Sequence, residues 1–144
     1  MSAVANIVLN DAQATPVAHT FIPLGCDTLG AWWYEDQTGT SPLNYNRISL
    51  QLVRAPIGTP GRNAAQGTSR IKIGIHTPKL ETLGTNDAGL TPPNVVAYVP
   101  RCNVEFIISD RGTLQDRKDL RKYVDFLMAE TQVTNMVENL QNVY

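Results

Sequence analysis

The sequence predicts an α+β fold, an antiparallel sheet followed by two helices, and three observations carry that reading. In "SRIKIGIH" (69–76), Ile71, Ile73 and Ile75 alternate with Arg70, Lys72, Gly74 and His76. Successive strand side chains point to opposite faces, so the isoleucines share one face and the polar set the other. "NRISLQLVR" (46–54) alternates in the same way, with Ile48, Leu50 and Leu52 on its apolar side. After Asp110 the apolar spacing changes to three and four, the period of an amphipathic helix. Strands first and helices last is the α+β order.

The elements follow in sequence within one domain, 1–144. "NIVLN" (6–10) and "AHTFIP" (18–23) flank the turn-like "DAQATP" and predict a hairpin that occupies 1–25. "GAWWYED" (30–36) is the next strand, closed by the breaker run "QTGTSPLN". A Gly- and Pro-rich loop, about 55–68, separates strand 46–54 from strand 69–76. A second loop, about 77–94, is longer than most connections in compact domains, and such loops tend to be functional. "VVAYVPRCNVEFIISD" (95–110) reads as one long final strand, which completes a sheet spanning 30–110. Pro100 cannot donate a ladder hydrogen bond and marks a bulge or unpaired edge there.

"TLQD" (113–116) resembles a capping box, with Thr113 as N-cap and Asp116 in place of the usual Glu. Leu120, Tyr123, Val124, Leu127 and Met128 then form the apolar stripe of a first helix. Val133, Met136, Val137 and Leu140 form that of a shorter second helix ending near Tyr144, so that the helices fill 113–144. The apolar sheet face needs a cover, and these helices are the available one. A helix as short as the second is marginal alone. Exchange of helices between two copies answers both needs, so the chain is expected to be an obligate dimer with these nine residues at its interface.

Composition narrows the function. The 42% hydrophobic fraction is globular, and a net charge of −1 gives no global attraction to nucleic acid or anionic lipid. The N-terminus lacks the pattern of a signal peptide, and no run approaches the ~18 apolar residues of a membrane span. A soluble chain of cytosolic origin, without membrane contact, is expected. Two cysteines make no disulfide framework. Cys102 lies in an alternating run and is expected to be buried; Cys26 sits in a turn.

Motifs for catalysis are absent: no Walker A, dinucleotide fingerprint, HExxH, CxxC or nucleophile elbow occurs. His19 and His76 stand far apart, and parity separates His76 from Cys102. Asp116, Asp119 and Asp125 share a helix face with Arg117, Lys118, Arg121 and Lys122, which reads as solvated pairing. No enzyme, cofactor or resident metal is expected, although loop carboxylates such as Glu81 and Asp87 could meet across a subunit axis.

The polar sheet face remains. Parity assigns it Ser49 and Gln51, Arg70, Lys72 and His76, and Arg101, Asn103, Glu105 and Ile107. Trp32 and Trp33 split across the sheet: one is expected in the core, and the other could stack on a base but is better placed at an interface. The central strands themselves put no aromatic on this face, which counts against stacking. One reading is the ordinary wet side of an antiparallel sheet. The other is an RNA platform, with Arg and Lys for phosphates and Asn, Gln and Ser for base edges. A free dimeric RNA-binding translational regulator is one function such a face would serve.

In its order of elements the chain resembles the coat proteins of the single-stranded RNA bacteriophages. "NIVLNDAQATPVAHTFIP" is similar to that family's hairpin, "NRISLQLVR" and "SRIKIGIH" to its paired central strands, and "RCNVEFIISD" to its last strand. "VTNMVENLQNVY" resembles its second helix and terminal tyrosine. The resemblance implies a five-stranded sheet beyond the hairpin and helices interlocked with a dimer partner. It also implies dimers that assemble into an icosahedral shell around single-stranded viral RNA, found in the virion and, during assembly, in the host cytoplasm. By position it places the RNA contacts on Ser49, Gln51, Arg70, Lys72, Arg101, Asn103 and Glu105, with Arg101 standing where relatives often carry a tyrosine. It further implies binding of an RNA hairpin that represses translation. The 77–94 loop falls where the family surrounds shell symmetry axes.

Overall fold

A computed structural model describes residues 3–56, 67–84, 89 and 92–143. Its strands are β1 (Ile7–Asn10), β2 (Ala18–Cys26), β3 (Ala31–Asp36), β4 (Asn46–Val53), β5 (Thr68–His76), β6 (Lys79–Leu80), β7 (Val96–Tyr98) and β8 (Arg101–Ser109). The helices are α1 (Leu114–Ala129) and α2 (Thr131–Glu138), and a 3-10 turn (Pro42–Asn44) precedes β4. The fold is α+β, as the sequence predicts.

Six strands form one sheet in the order β1-β2-β3-β4-β5-β8, and β6-β7 stand as a separate pair. The strand count differs from a hairpin beside a five-stranded sheet, because β2 serves both. Its first half pairs with β1 (Ile7↔Phe21), and from Ile22 it pairs with β3, with a register shift between Pro23 and Gly25. The contacts divide the chain into two compact units: the sheet as far as Ile107, and a second unit containing residues from 108 onward with the helices.

In the sheet unit, β4 and β5 pair from Arg47↔His76 to Val53↔Arg70, which stacks Ile48 on Ile75, Leu50 on Ile73 and Leu52 on Ile71. Phe21, Tyr34 and Ile48 are buried, with Ile7, Leu50 and Ile75 packed against them. Fully burying one such side chain stabilises by about 1.5–3 kcal/mol. The centre of this unit is therefore where hairpin, β3 and β4 meet. Ser41 and Asn44 close a reciprocal capping box around the 3-10 turn, which aims the chain from β3 back into β4.

The predicted long strand 95–110 is interrupted at Pro100. Its first part, β7, pairs with β6, while β8 pairs with β5. The Pro100 carbonyl accepts from the Thr77 amide at 3.0 Å, so the proline marks a change of partner rather than a bulge. β6 and β7 thus form the stem of the second long loop, closed by Glu81 N–H to the Val95 carbonyl at 2.9 Å. Residues 85–88, 90 and 91 of that loop, 57–66 of the first and Tyr144 lie outside the described residues. Cys102 is exposed rather than buried: it is the second residue of β8, which ends the sheet among the described residues, and alternation places it on a face, not under a cover.

In the helical unit, the Asp116 amide donates to Thr113 Oγ1 at 3.1 Å and the Thr113 amide to Asp116 Oδ2 at 2.8 Å, so Asp completes the capping box. These bonds hold the Asp116 carboxyl below its usual range. Glu130, in extended conformation, ends α1 and starts α2. The second helix stops at Glu138, short of the predicted end. Leu140 follows it with φ 53°, the left-handed region that ends helices. No residue of either helix is buried.

An ionic network ties the hairpin to β3. His19 Nδ1 lies 2.7 Å from Asp36 Oδ2 and its Nε2 lies 3.5 Å from Asp11 Oδ2. Asp36 is 1% exposed and also accepts from the Thr38 amide and hydroxyl. The Asp36 hydrogen bond raises the His19 pKa against the opposing effect of burial. Burial alone would raise Asp36, but bonds from Thr38 and His19 hold it below the usual value. The His19 contribution is complete below the ordinary imidazole value of 6.5 and is lost as pH rises through the raised folded value. The Asp36 contribution is complete above 3.8 and is lost as pH falls through the lowered one. Thermal unfolding should therefore show greatest stability between those limits, with a decline on the alkaline side that His19→Gln abolishes. An identical decline in the variant would show that His19 is not its cause.

Candidate functional site

Positions of one parity in β3, β4, β5 and β8 form an open basin of about 550 Å³. Two cross-strand rows build it: Trp33↔Ser49↔Gly74 and Ala31↔Gln51↔Lys72. Ser49, Gln51, Lys72, Asn103 and Glu105 all line it. Arg70 lies one row beyond, opposite Val53, and its guanidinium is 3.8 Å from Glu105 Oε1. Arg101 is exposed on β8 with the parity of Asn103 and Glu105, outside the basin lining. Of the seven residues singled out on this face, five are brought together, Arg70 borders them and Arg101 stands apart.

Gly74 gives the basin its depth. A Cβ there would lie 2.6 Å from Ser49 Oγ, 3.2 Å from His76 Nε2 and 3.3 Å from Asn103 Oδ1. Without one, the hydroxyl and the amide face each other across an open floor.

The charges on this face are unequally engaged. Arg47 is held by Glu35, its Nε and Nη2 each 2.9 Å from Oε1. The Arg70–Glu105 pair is long and exposed on both sides, a geometry worth at most about 1 kcal/mol. Lys72 and Arg101 enter no ion pair among the described residues. The basin therefore offers an ammonium that enters no ion pair among the described residues, beside hydroxyl, amide and carboxylate groups; the donors suit phosphate oxygens and the amides and carboxylate suit base edges. Among the described residues no three His, Cys, Asp or Glu side chains converge as a metal would need. Asp87 lies outside them.

Asp27 organises the rim. Its Oδ1 accepts from the Leu29 and Ala31 amides, each at 2.9 Å, and its Oδ2 accepts from Trp33 Nε1 at 3.0 Å. The indole bond, followed by the backbone bonds, holds its carboxyl below the usual range. Gly30, with φ 81°, completes the turn, and Gln51 Nε2 donates to the Leu29 carbonyl at 2.6 Å. Trp33 is thus an aromatic on the polar face, where none was expected. Alternation alone separates Trp32 from Trp33; only the pairing of Trp33 with Ser49 says which of them joins the basin.

The nine helix positions are all unburied. Val124 and Val133 are half-buried, while Leu120, Leu127, Met128 and Met136 are exposed. Tyr123 and Val137 are each 70% exposed, and Leu140 88%.

The sequence pattern of the levivirus coat proteins matches residues 2–144. The capsid protein of Pseudomonas phage PRR1 is 29% identical, over 96% of this chain and 97% of its own. The virus-like particle of bacteriophage ESE058 superposes with a TM-score of 0.90 at 40% identity, covering 99% of this chain and all of the other. That of bacteriophage NT-214 gives 0.80 at 26% identity, over 99% of this chain and 100% of the other.

Because Asp27 holds both the turn and the indole, Asp27→Ala should lower the unfolding temperature and alter the near-ultraviolet circular dichroism of Trp33. Asp27→Asn, which keeps an acceptor oxygen, should retain part of both. An Ala variant with the wild-type spectrum and melting temperature would contradict that role.

Proposed function

The chain belongs to the levivirus coat proteins, and from that premise we propose that it is a shell subunit that acts as a dimer and binds single-stranded RNA through the β3–β4–β5–β8 basin. As a capsid protein it is structural and not an enzyme. The single observation that carries the RNA reading is the convergence of Ser49, Gln51, Lys72 and Asn103 on one open face. Unpaired RNA exposes phosphates together with base edges, and this mixture of ammonium, amide and hydroxyl groups can address both. Arg70 and Arg101 extend the cationic reach of the same face, and Glu105 supplies an acceptor for exocyclic amines. A hairpin in the viral RNA, whose occupation represses translation, is the ordered form of this ligand.

Dimerisation is supported by what a single chain leaves uncovered. The helix stripes from Leu120 to Met128 and from Val133 to Leu140 contain no buried residue, and soluble monomers rarely leave large contiguous apolar patches exposed. Among the described residues β8 also ends the sheet, and its outer backbone edge suits a strand of a second copy. Two copies related by a two-fold axis satisfy both needs at once.

Protein purified from a bacterial overexpression lysate should appear in electron micrographs as uniform closed particles, with an ultraviolet absorbance ratio typical of nucleic acid. A dimer that binds RNA without forming particles would overturn the shell reading. Lys72→Ala should weaken RNA binding and reduce the slope of log K against log salt by about one unit. An unchanged slope would remove Lys72 from the phosphate contacts.

A further inference from the structure

Beside the basin lies a second concavity, of about 360 Å³, lined by Trp33, Arg47, His76, Leu43, Val96 and Val99 among others. Its volume falls within the range of small-ligand sites, roughly 300–1,000 Å³. Trp33 lines both hollows, so the indole is the partition between them. The row Glu35↔Arg47↔His76 continues the sheet face of the basin by one step. The cleft is therefore contiguous with the basin and open to the same side.

Its composition differs from that of the basin. The Trp33 and His76 rings stand 5.9 Å apart at 53°. The indole is fixed by its bond to Asp27 at 3.0 Å, and the guanidinium of Arg47 by Glu35. Because Glu35 neutralises Arg47, the cleft attracts phosphate weakly, yet the planar guanidinium still presents a face for stacking. Valine and leucine side chains supply apolar walls. A fixed indole with the His76 ring beside it, a paired guanidinium and apolar walls match a flat, uncharged aromatic group rather than a phosphate or a sugar.

We propose that this cleft takes one unpaired nucleobase of RNA bound across the basin, stacked on the Trp33 indole between His76 and Arg47. The proposal rests on the RNA reading of the basin and adds a contact of another kind. Lys72 acts on the backbone, whereas Trp33 acts on a base and selects single-stranded over duplex RNA, since only an unpaired base can leave its stack at small cost.

The chain has two tryptophans, and Trp32 has the opposite parity, so a Trp32→Phe protein reports on Trp33 alone. Titration of the assembled dimer with oligouridylate and oligoadenylate should quench its fluorescence, while a blunt RNA duplex should not. Trp33→Leu should lower affinity for the single-stranded oligonucleotides roughly 5- to 150-fold, as loss of one stacked base does, with the salt slope of the wild type retained. Trp33→Phe should recover much of that loss. If Trp33→Leu does not fold, the quenching titration still decides. Oligonucleotide binding without quenching, or with undiminished affinity in Trp33→Leu, overturns the stacking site and leaves the basin reading intact. Absence of RNA binding by the wild type overturns both. A Trp33→Leu protein that binds RNA normally yet forms no particles would make the cleft a contact between subunits, and would equally overturn the proposal.

Discussion

The pairing register of β3, β4 and β5 is the constraint on which the rest depends. A strand alternates its side chains, so a slip of one residue would carry every side chain to the other face. In the observed register Tyr34, Ile48 and Ile75 form one row, and Trp33, Ser49 and Gly74 the next, on the opposite face. The same hydrogen bonds therefore fix the core and the functional face together. Burial of Tyr34 and Ile48 holds the register, since a slip would expose both. The face that carries the basin is positioned by residues on the opposite side of the sheet.

How far the sequence is legible follows from whether a feature is local or relational. Alternation within β4 and β5, the Thr113–Asp116 cap and the helix period depend on neighbours in the chain, and each has the form its residues predict. The basin was legible for the same reason, because Ser49, Gln51, Lys72, Asn103 and Glu105 follow from parity once the apolar side is recognised. Trp33 was not, because Trp32 and Trp33 are both aromatic and alternation cannot choose between them. The break at Pro100 was seen as a disturbance, but the exchange of partner from β6 to β5 needs the path of the whole 77–94 connection. Leu140 kept the helical spacing in sequence, yet its left-handed backbone lies past the end of α2. A periodic pattern gives no account of where the helix runs out of hydrogen-bond partners.

The hairpin shows how a buried charge can serve the fold. Asp36 is nearly inaccessible, and an unpaired carboxylate there would be costly. His19 and Thr38 satisfy it, and His19 in turn reaches Asp11 in the β1–β2 connection. One network thus joins three consecutive segments near the buried Phe21. Its weakness is its chemistry, since an imidazole holds its charge only over part of the physiological range.

Net charge and function also belong together. A coat subunit with a net charge of −1 has no general field to gather RNA, so the attraction in the proposed function would be local. On the basin face the cations that enter no ion pair among the described residues, Lys72 and Arg101, lie on strands whose spacing the sheet fixes. A single such contact is weak, and salt screens it. Under the proposed function such contacts, repeated over a closed shell, would act on a single RNA chain, and linkage between them would replace individual strength. A balanced subunit then has an advantage over a strongly basic one. Copies with so small a net charge repel each other little during assembly, and under the proposed function RNA would be held only where the sheet face is presented many times over.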